Sequence, residues 1–309
     1  MNYNDPLIVV NSKKICPACN AQKPAVKHCP YCNKLGFLRI DLSGLWSAPG
    51  FLVCGGPSIN KLPFQKLGER GIVSLAINNS AGHVPVTAWV FSDPEIKFHH
   101  GLFLDPKLMT FAPIPKLRKN YRIKENDQFR SSENWIKDCP NTFGFSRKTW
   151  LYPENFLKTD YAMWGHGGKQ PDPKPFECLC TMLLGIRLMC YLGCPRIYLL
   201  GVDFQRTAIE QYSFSQKANP SSGRYEHENF MLRSIRPFIE AEGIKIYNCN
   251  PDSKCDAFEF ISFDKAFEDC KGLVKEPFDL SGWYEKTQAP NLLANAPQSM
   301  PTTPPSGNL

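Results

Sequence analysis

The sequence predicts an α/β fold, with an open, mostly parallel sheet, flanking helices and a small zinc ribbon at the N-terminus. Short apolar runs that end in small or polar residues predict the strands. Segments with helical spacing of apolar residues between the later runs predict the helices. Four closely spaced cysteines near the start predict the ribbon. In such sheets, ligands bind at the carboxyl ends of the strands.

The cysteines form two C-x-x-C pairs with nine residues between them, Cys16 with Cys19 and Cys29 with Cys32. Each pair can present two thiolates from one tight turn, and the two pairs complete the tetrahedral shell that Zn²⁺ accepts. We expect a structural zinc ion to fold residues 1–42, which are too few to build a core alone. The ribbon is either a clip without a ligand of its own or a docking element for nucleic acid or another partner.

Composition indicates a soluble globular protein. The chain has 309 residues, of which 42% are hydrophobic, and a formal net charge of +7 that mildly favours an anionic partner. The nine cysteines outside the ribbon have no regular spacing, which favours a reducing compartment over a disulfide framework. Neither a secretory signal nor a membrane span is evident, so the expected location is the cytoplasm, including that of a virus-infected host cell.

Six apolar runs are predicted strands, at 51–54, 72–77, 88–91, 108–111, 196–200 and 244–247. Helices are predicted at 60–68, 177–192 and 229–242, within an α/β domain over 43–286. Residues 105–175 show weak periodicity, and the glycine-rich loop at 164–169 is a candidate lid or acceptor-binding segment. The tail 287–309 has five prolines and no charged side chain, and we expect it to be disordered.

Glycines or polar residues follow four of these strands. Because parallel strands end at the same edge of a sheet, we expect these residues to form one nucleotide site. Glycines let the backbone approach a phosphate, and a helix that starts there favours an anion. Each group by itself is also typical of a turn or a helix cap. The residues are Gly55, Gly56, Pro57, Ser58, Asn78, Asn79, Asp93, Gly201 and Asp203.

Two longer stretches extend this set: Gly-Cys-Pro-Arg-Ile-Tyr-Leu-Leu-Gly-Val-Asp-Phe at 193–204 and Gly-Ile-Lys-Ile-Tyr-Asn-Cys-Asn-Pro at 243–251. In this order the motifs resemble those of the bacterial sialyltransferases with a modified Rossmann-like nucleotide-sugar domain. They also resemble the related flagellin-modifying motility accessory factors. The resemblance covers about residues 51–266 and includes neither the ribbon nor the tail.

The resemblance implies roles for single residues. The glycine loop at 55–58 would bind the nucleotide phosphate and ribose, and Asn78 would contact the nucleotide or the transferred sugar. Thr181 would lie against the nucleotide. Tyr212 would donate a hydrogen bond to the departing phosphate, and His227 would be the general base.

Two departures from the family pattern affect these roles. Gln205 stands where the family has a tyrosine, so Tyr225 is the candidate that supplies the missing hydroxyl. The helix start reads Cys-Leu-Cys-Thr at 178–181 instead of Thr-Ser-Gly, which leaves the donor nucleotide open. His166 in the glycine-rich loop is a rival base.

The resulting hypothesis is a metal-independent glycosyltransferase that moves a sugar from a nucleotide sugar to a hydroxyl acceptor. A histidine can take the hydroxyl proton near neutral pH, while tyrosine hydroxyls offset charge on the leaving phosphate. The ribbon and the basic balance suggest a hydroxymethylated base in DNA as acceptor, as in viral and bacteriophage genome modification. A diphosphotransferase of the pterin pyrophosphokinase type and a non-catalytic zinc-ribbon module that binds nucleic acid remain alternatives.

Overall fold

The computed structural model describes residues 8–11, 37–40, 42–125, 128–145, 147–148, 150–157, 162–163, 176–177, 180–205, 212–214 and 224–273. Within these ranges the strands are β1 Ile8–Asn11, β2 Phe37–Ile40, β3 Gly50–Val53, β4 Val73–Ile77, β5 Ala88–Val90, β6 Met109–Pro113, β7 Asn120–Glu125, β8 Gln128–Trp135, β9 Thr142–Phe145, β10 Arg147–Lys148, β11 Trp150–Leu151, β12 Ala162–Met163, β13 Phe176–Glu177, β14 Arg196–Leu200, β15 Lys245–Asn248 and β16 Glu259–Phe260. The α-helices are α1 Gly101–Leu104, α2 Thr181–Tyr191, α3 Arg224–Ala241 and α4 Phe263–Cys270.

Ten of these strands form one sheet in the order β16-β15-β14-β3-β4-β5-β6-β9-β1-β2. The strands from β16 to β9 are all parallel, which confirms the predicted α/β sheet. From β3 the chain adds β4, β5 and β6 on one side, and it later returns to add β14, β15 and β16 on the other side. The boundary between β3 and β14 is therefore the switch point at which doubly wound sheets bind ligands.

Side chains of the central strands alternate between two hydrophobic clusters because successive residues of a strand face opposite sides. Leu52 faces the cluster that contains α2 and the apolar stripe of α3, whereas Phe51 and Val53 face the cluster that contains α4. All eleven residues of α2 are buried. A β-carbon added at Gly185 would lie 2.5 Å from Leu52 Cδ1, so α2 packs directly on the sheet.

Three local predictions differ from the structure. Helix α3 begins at Arg224, five residues before the predicted start, and places Tyr225 and His227 in its first turn. The predicted helix at 60–68 is a pair of 3₁₀ segments, Pro57–Lys61 and Phe64–Gly68. The weakly periodic stretch after residue 105 contributes the parallel strand β9 and the two-stranded hairpin β7–β8.

The four cysteines of the predicted zinc site, Cys16, Cys19, Cys29 and Cys32, lie outside the described residues. The strands on either side of that segment are described, and they extend the large sheet. Strand β1 pairs antiparallel with β9 on one side and with β2 on the other. The segment 12–36 therefore enters and leaves the fold between two paired strands at one edge of the sheet.

Eight cysteines in the described part of the chain are buried and form no disulfide: Cys54, Cys139, Cys180, Cys190, Cys194, Cys249, Cys255 and Cys270. Burial raises the pKa of Cys190 and of Cys249 to about 12. It raises the pKa of Cys255 to about 11. These thiols therefore stay protonated in the folded protein. Within the same part of the chain, no helix combines the length and apolar character needed to cross a bilayer.

Replacing residues 12–36 by an Asn-Gly turn tests whether the sheet needs the cysteine segment. Asn11 and Phe37 are direct partners, so a two-residue turn can close the hairpin. We expect one cooperative unfolding transition with a melting temperature within about 4 °C of the wild type. The double variant Cys16→Ser, Cys19→Ser is the control that removes two of the predicted metal ligands without shortening the chain. Loss of cooperative unfolding in the excision variant would contradict the prediction.

Candidate active site

The predicted site residues after β3, β4, β5 and β14 lie at the carboxyl ends of four adjacent strands, which we call the strand-end edge. Asp203, directly after β14, is 5% exposed. Its Oδ2 accepts a hydrogen bond of 2.9 Å from the Ser58 backbone N–H, and its Oδ1 accepts one from the Ser58 hydroxyl. Asn250 Nδ2 also donates to Oδ1, at 2.8 Å. A buried carboxylate needs such donors, and here they hold the glycine loop to the ends of β14 and β15.

The glycine loop approaches β14 too closely for a side chain. The Gly56 N–H donates to the Gly201 carbonyl at 2.8 Å. A β-carbon added at Gly56 would lie 2.5 Å from that carbonyl oxygen and 2.6 Å from Asp203 Oδ2. Gly201 has a φ of +66°, which glycine adopts without strain. The loop continues into the 3₁₀ segment Pro57–Lys61 instead of an α-helix, so the expected helix N-terminus is absent at this point.

Tyr212 lies against the glycine loop. The Ser213 N–H donates to the Gly55 carbonyl at 2.9 Å. A β-carbon added at Gly55 would lie 3.2 Å from Cδ1 of the Tyr212 ring. The rings of Tyr212 and Phe214 stack with centroids 5.6 Å apart. Two aromatic rings therefore lie beside Gly55, at the carboxyl end of β3.

A second polar group lies next to the loop, where β4 and β5 end and α2 begins. Asn78 Nδ2 donates to Thr181 Oγ1 at 3.2 Å, and the hydroxyls of Ser92 and Thr181 are 2.6 Å apart. The Ser92 backbone N–H donates to Asn78 Oδ1 at 3.1 Å. Asn78 has a φ of +46°, held by a 2.8 Å hydrogen bond from Trp89 Nε1 to its carbonyl. The structure thus joins Asn78 and Thr181 and adds Ser92, which the sequence did not single out.

The start of α3 brings further candidates to the edge. The rings of Tyr225 and Phe204 stack with centroids 5.2 Å apart. His227 is exposed, whereas the neighbouring Glu228 is buried. Burial raises the pKa of Cys54, at the end of β3, and the carboxylates of Glu228 and Asp203 raise it further. Glu228 was missed, although it lies three and four residues before Met231 and Leu232 and so continues the buried stripe of α3.

Asp93 lies further along the edge and faces cations. Lys97 Nζ is 3.0 Å from its carboxylate, and Lys116 Nζ donates to its backbone carbonyl. Lys116 is also 3.8 Å from Glu95 and retains 17% side-chain exposure. The sequence analysis missed this partly buried cation because it follows a strand in the weakly periodic region.

The remaining candidates have simpler positions. Asn79 lies in the 3₁₀ segment Asn78–Gly82 that follows β4. Gln205 is exposed and donates to the Asp252 carbonyl at 3.3 Å. His166 lies outside the described residues. Among the residues that are described, no three His, Cys, Asp or Glu side chains gather in a way that could hold a metal ion.

No protein-family model and no curated protein matches the chain. Among solved structures, the chain is similar to the sialyltransferase CstII from Campylobacter jejuni in complex with the substrate analogue CMP-3FNeuAc, at 13% identity and a TM-score of 0.37. The match covers 70% of this chain and 86% of that one. The same enzyme with cytidine-5'-monophosphate matches at 14% identity with a TM-score of 0.38, over 70% and 86% of the two chains. At these values the likeness supports no inference about chemistry.

The contact between Gly56 and Gly201 leads to a prediction about stability. We expect Gly56→Ala to lower the free energy of unfolding by about 1–3 kcal/mol, because the new methyl group must displace β14 or Asp203. Thermal and urea unfolding would measure the loss. Gly82→Ala is the matched control, since a β-carbon there meets nothing within 4 Å. Equal stability of the two variants would contradict the described approach of the loop to β14.

Proposed function

We propose that this protein is a glycosyltransferase that moves a sugar from a nucleotide sugar to a hydroxyl acceptor. The observation that carries the proposal is the pairing of two features at the switch point. One is the glycine loop that lies against Tyr212. The other is the group of Asn78, Ser92 and Thr181 next to that loop. Partly buried glycine backbone that a ligand can approach closely, next to neutral hydrogen-bonding side chains, suits a phosphorylated sugar nucleotide. The ordered sequence motifs independently favour the same class.

In the proposed binding mode, the loop from Gly55 to Ser58 holds the phosphate and ribose. Asn78 and Thr181 hold the nucleotide or the transferred sugar, with Asn79, Asp93 and Gly201 around them. Asp203 positions the glycine loop, because both of its carboxylate oxygens accept hydrogen bonds from protein groups. Pro57 fixes the turn that follows the glycines.

In the proposed reaction, the acceptor oxygen attacks the anomeric carbon as the bond from that carbon to the phosphate oxygen breaks. His227 takes the acceptor's proton, and the bonding electrons leave with the phosphate. Hydroxyl donors from Tyr212 and Tyr225 offset the charge on that leaving group, so the proposed chemistry needs no divalent cation. The exposed position of His227 suits an acceptor that approaches from solvent.

We further propose a hydroxymethylated base in DNA as the acceptor, with the zinc ribbon as the element that directs the protein to it. The supporting observations are the net positive charge of the chain and the two cysteine pairs. Residues 12–36 connect β1 and β2 of the large sheet, so a ligand bound by the proposed ribbon would be tethered to the same fold.

A radiolabelled panel of nucleotide sugars, without added divalent cation, tests the activity. The acceptors are hydroxymethylcytosine-containing DNA, the same DNA unmodified, and an oligosaccharide. We expect one nucleotide to raise the melting temperature and its sugar conjugate to label the modified DNA alone. Labelling of the oligosaccharide alone would identify a glycan instead of DNA as the acceptor. Absence of transfer from every donor would overturn the assignment as a glycosyltransferase. Release of AMP from ATP would identify a diphosphotransferase instead.

Variants of the proposed catalytic residues separate chemistry from folding. We expect His227→Asn to lower kcat by about 10²–10⁴-fold, because the acceptor proton loses its base. Tyr212→Phe should lower kcat by about 10²–10³-fold through loss of one donor to the leaving group. Glu226→Gln, an exposed neighbour in the same turn, is the control and should leave kcat unchanged. Full activity of His227→Asn would remove His227 from the mechanism.

A further inference from the structure

The hairpin β7–β8 forms its own two-stranded sheet outside the ten-stranded one. Its base is fixed to the domain by Tyr121, whose ring stacks on Phe103 at a centroid distance of 5.3 Å. Two hydrogen bonds close the base of the hairpin, from Asn120 Nδ2 to the Ser132 carbonyl at 2.7 Å and from the Ile136 N–H to the Lys119 carbonyl at 2.8 Å. The buried Ile136 and Tyr121 pack in the same hydrophobic cluster of the domain. The hairpin is therefore a firmly attached arm.

The register divides the hairpin into two faces. Arg122 pairs with Ser131 and Lys124 pairs with Phe129, so these four residues share one face. Asn120 and Trp135, which pair beyond a register shift, lie on the same side. The buried Tyr121 and the packed Ile123 belong to the opposite face, toward the core. One face of the arm is thus anchored, and the other, which we call the outer face, points to solvent.

The outer face presents two aromatic rings, each with a cation beside it. Phe129 is 59% exposed, and the Arg122 guanidinium lies 5.9 Å from the centre of its ring. Trp135 is 37% exposed, and Lys137 Nζ lies 4.7 Å from the centre of its ring. Polar residues separate the two rings along β8, so they do not form one continuous apolar patch.

The segment that carries the arm is basic. Residues 116–137 hold seven basic side chains and three acidic ones, a difference of +4 within a chain whose net charge is +7. The segment starts at the strand-end edge, since Lys116 donates to the Asp93 carbonyl after β5. The hairpin itself holds three basic and three acidic side chains, so this excess lies at its base, on Lys116, Arg118, Lys119 and Lys137.

We propose that the outer face of the β7–β8 hairpin binds single-stranded nucleic acid. Isolated exposed rings allow bases to stack, and cations beside the rings pair with phosphates on the same strand. A membrane surface fits less well, because the polar Ser131 and Glu133 lie between the two aromatic residues. The inference goes beyond the proposed sugar transfer, since a strand can bind here whether or not it is the acceptor.

Fluorescence anisotropy of the full chain with labelled oligonucleotides of about 16 nucleotides tests the proposal. The three ligands to be compared are single-stranded DNA, RNA of the same sequence and the DNA duplex. We expect binding to one or both single strands, and weaker binding to the duplex, whose bases are already stacked. Phe129→Ala and Trp135→Ala should each weaken binding by about 5- to 150-fold. Arg122→Gln should flatten the slope of log K against log salt by about 0.7.

The matched controls lie elsewhere on the surface. Phe260→Ala removes a 54% exposed ring from β16 at the far edge of the sheet, and Arg233→Gln removes an exposed cation from α3. Both should leave oligonucleotide affinity unchanged. Phe129→Ala should also leave the melting temperature and the nucleotide-induced thermal shift unchanged, which separates this proposal from the active site.

Several outcomes would overturn the proposal. One is unchanged affinity in both aromatic variants, which would reduce the interaction to general electrostatics. Another is duplex affinity equal to that of the single strands. A third is binding to phosphatidylserine vesicles with no binding to any oligonucleotide, which would identify a lipid-binding surface instead.

Discussion

The buried carboxylate of Asp203 connects the ends of three neighbouring strands. It follows β14 and accepts hydrogen bonds from Ser58 beyond β3 and from Asn250 beyond β15. Removed from water, the charge is stabilised only while these donors stay in place, so their separation carries a large penalty. The glycine loop, the close approach of Gly56 to Gly201 and the position of Tyr212 all depend on this connection. The switch point keeps its shape for the same reason.

Much of the central sheet was predictable because parallel strands covered on both faces appear as continuous apolar runs. The predicted strands match β3, β4, β5, β6, β14 and β15 within a few residues. Strand β9 was not predicted, since Thr-Phe-Gly-Phe is short and lies among prolines and charged residues. The hairpin β7–β8 was also missed, because its outer face is polar and its register shift breaks the alternation.

The sequence predicted the position of the site better than the contacts between its residues. Glycine and polar residues after apolar runs indicated one sheet edge, and the structure confirms that edge. The bond between Ser58 and Asp203 spans 145 residues and depends on β14 lying beside β3, which no local pattern specifies. Ser92, Lys116 and Glu228 are ordinary surface residue types in the sequence. They become notable only once β5, β6 and α3 pack and remove them from water.

The buried thiols have a kinetic consequence. Attack on an oxidant or an alkylating reagent requires a thiolate, and burial shields the described cysteines and raises the pKa of thiols such as Cys190 and Cys249. Their reactivity is therefore limited by how often the surrounding layers open. Damage would concentrate in newly made or transiently unfolded molecules, while the native population survives. The rate at which these cysteines are labelled would therefore report the rate at which the fold opens.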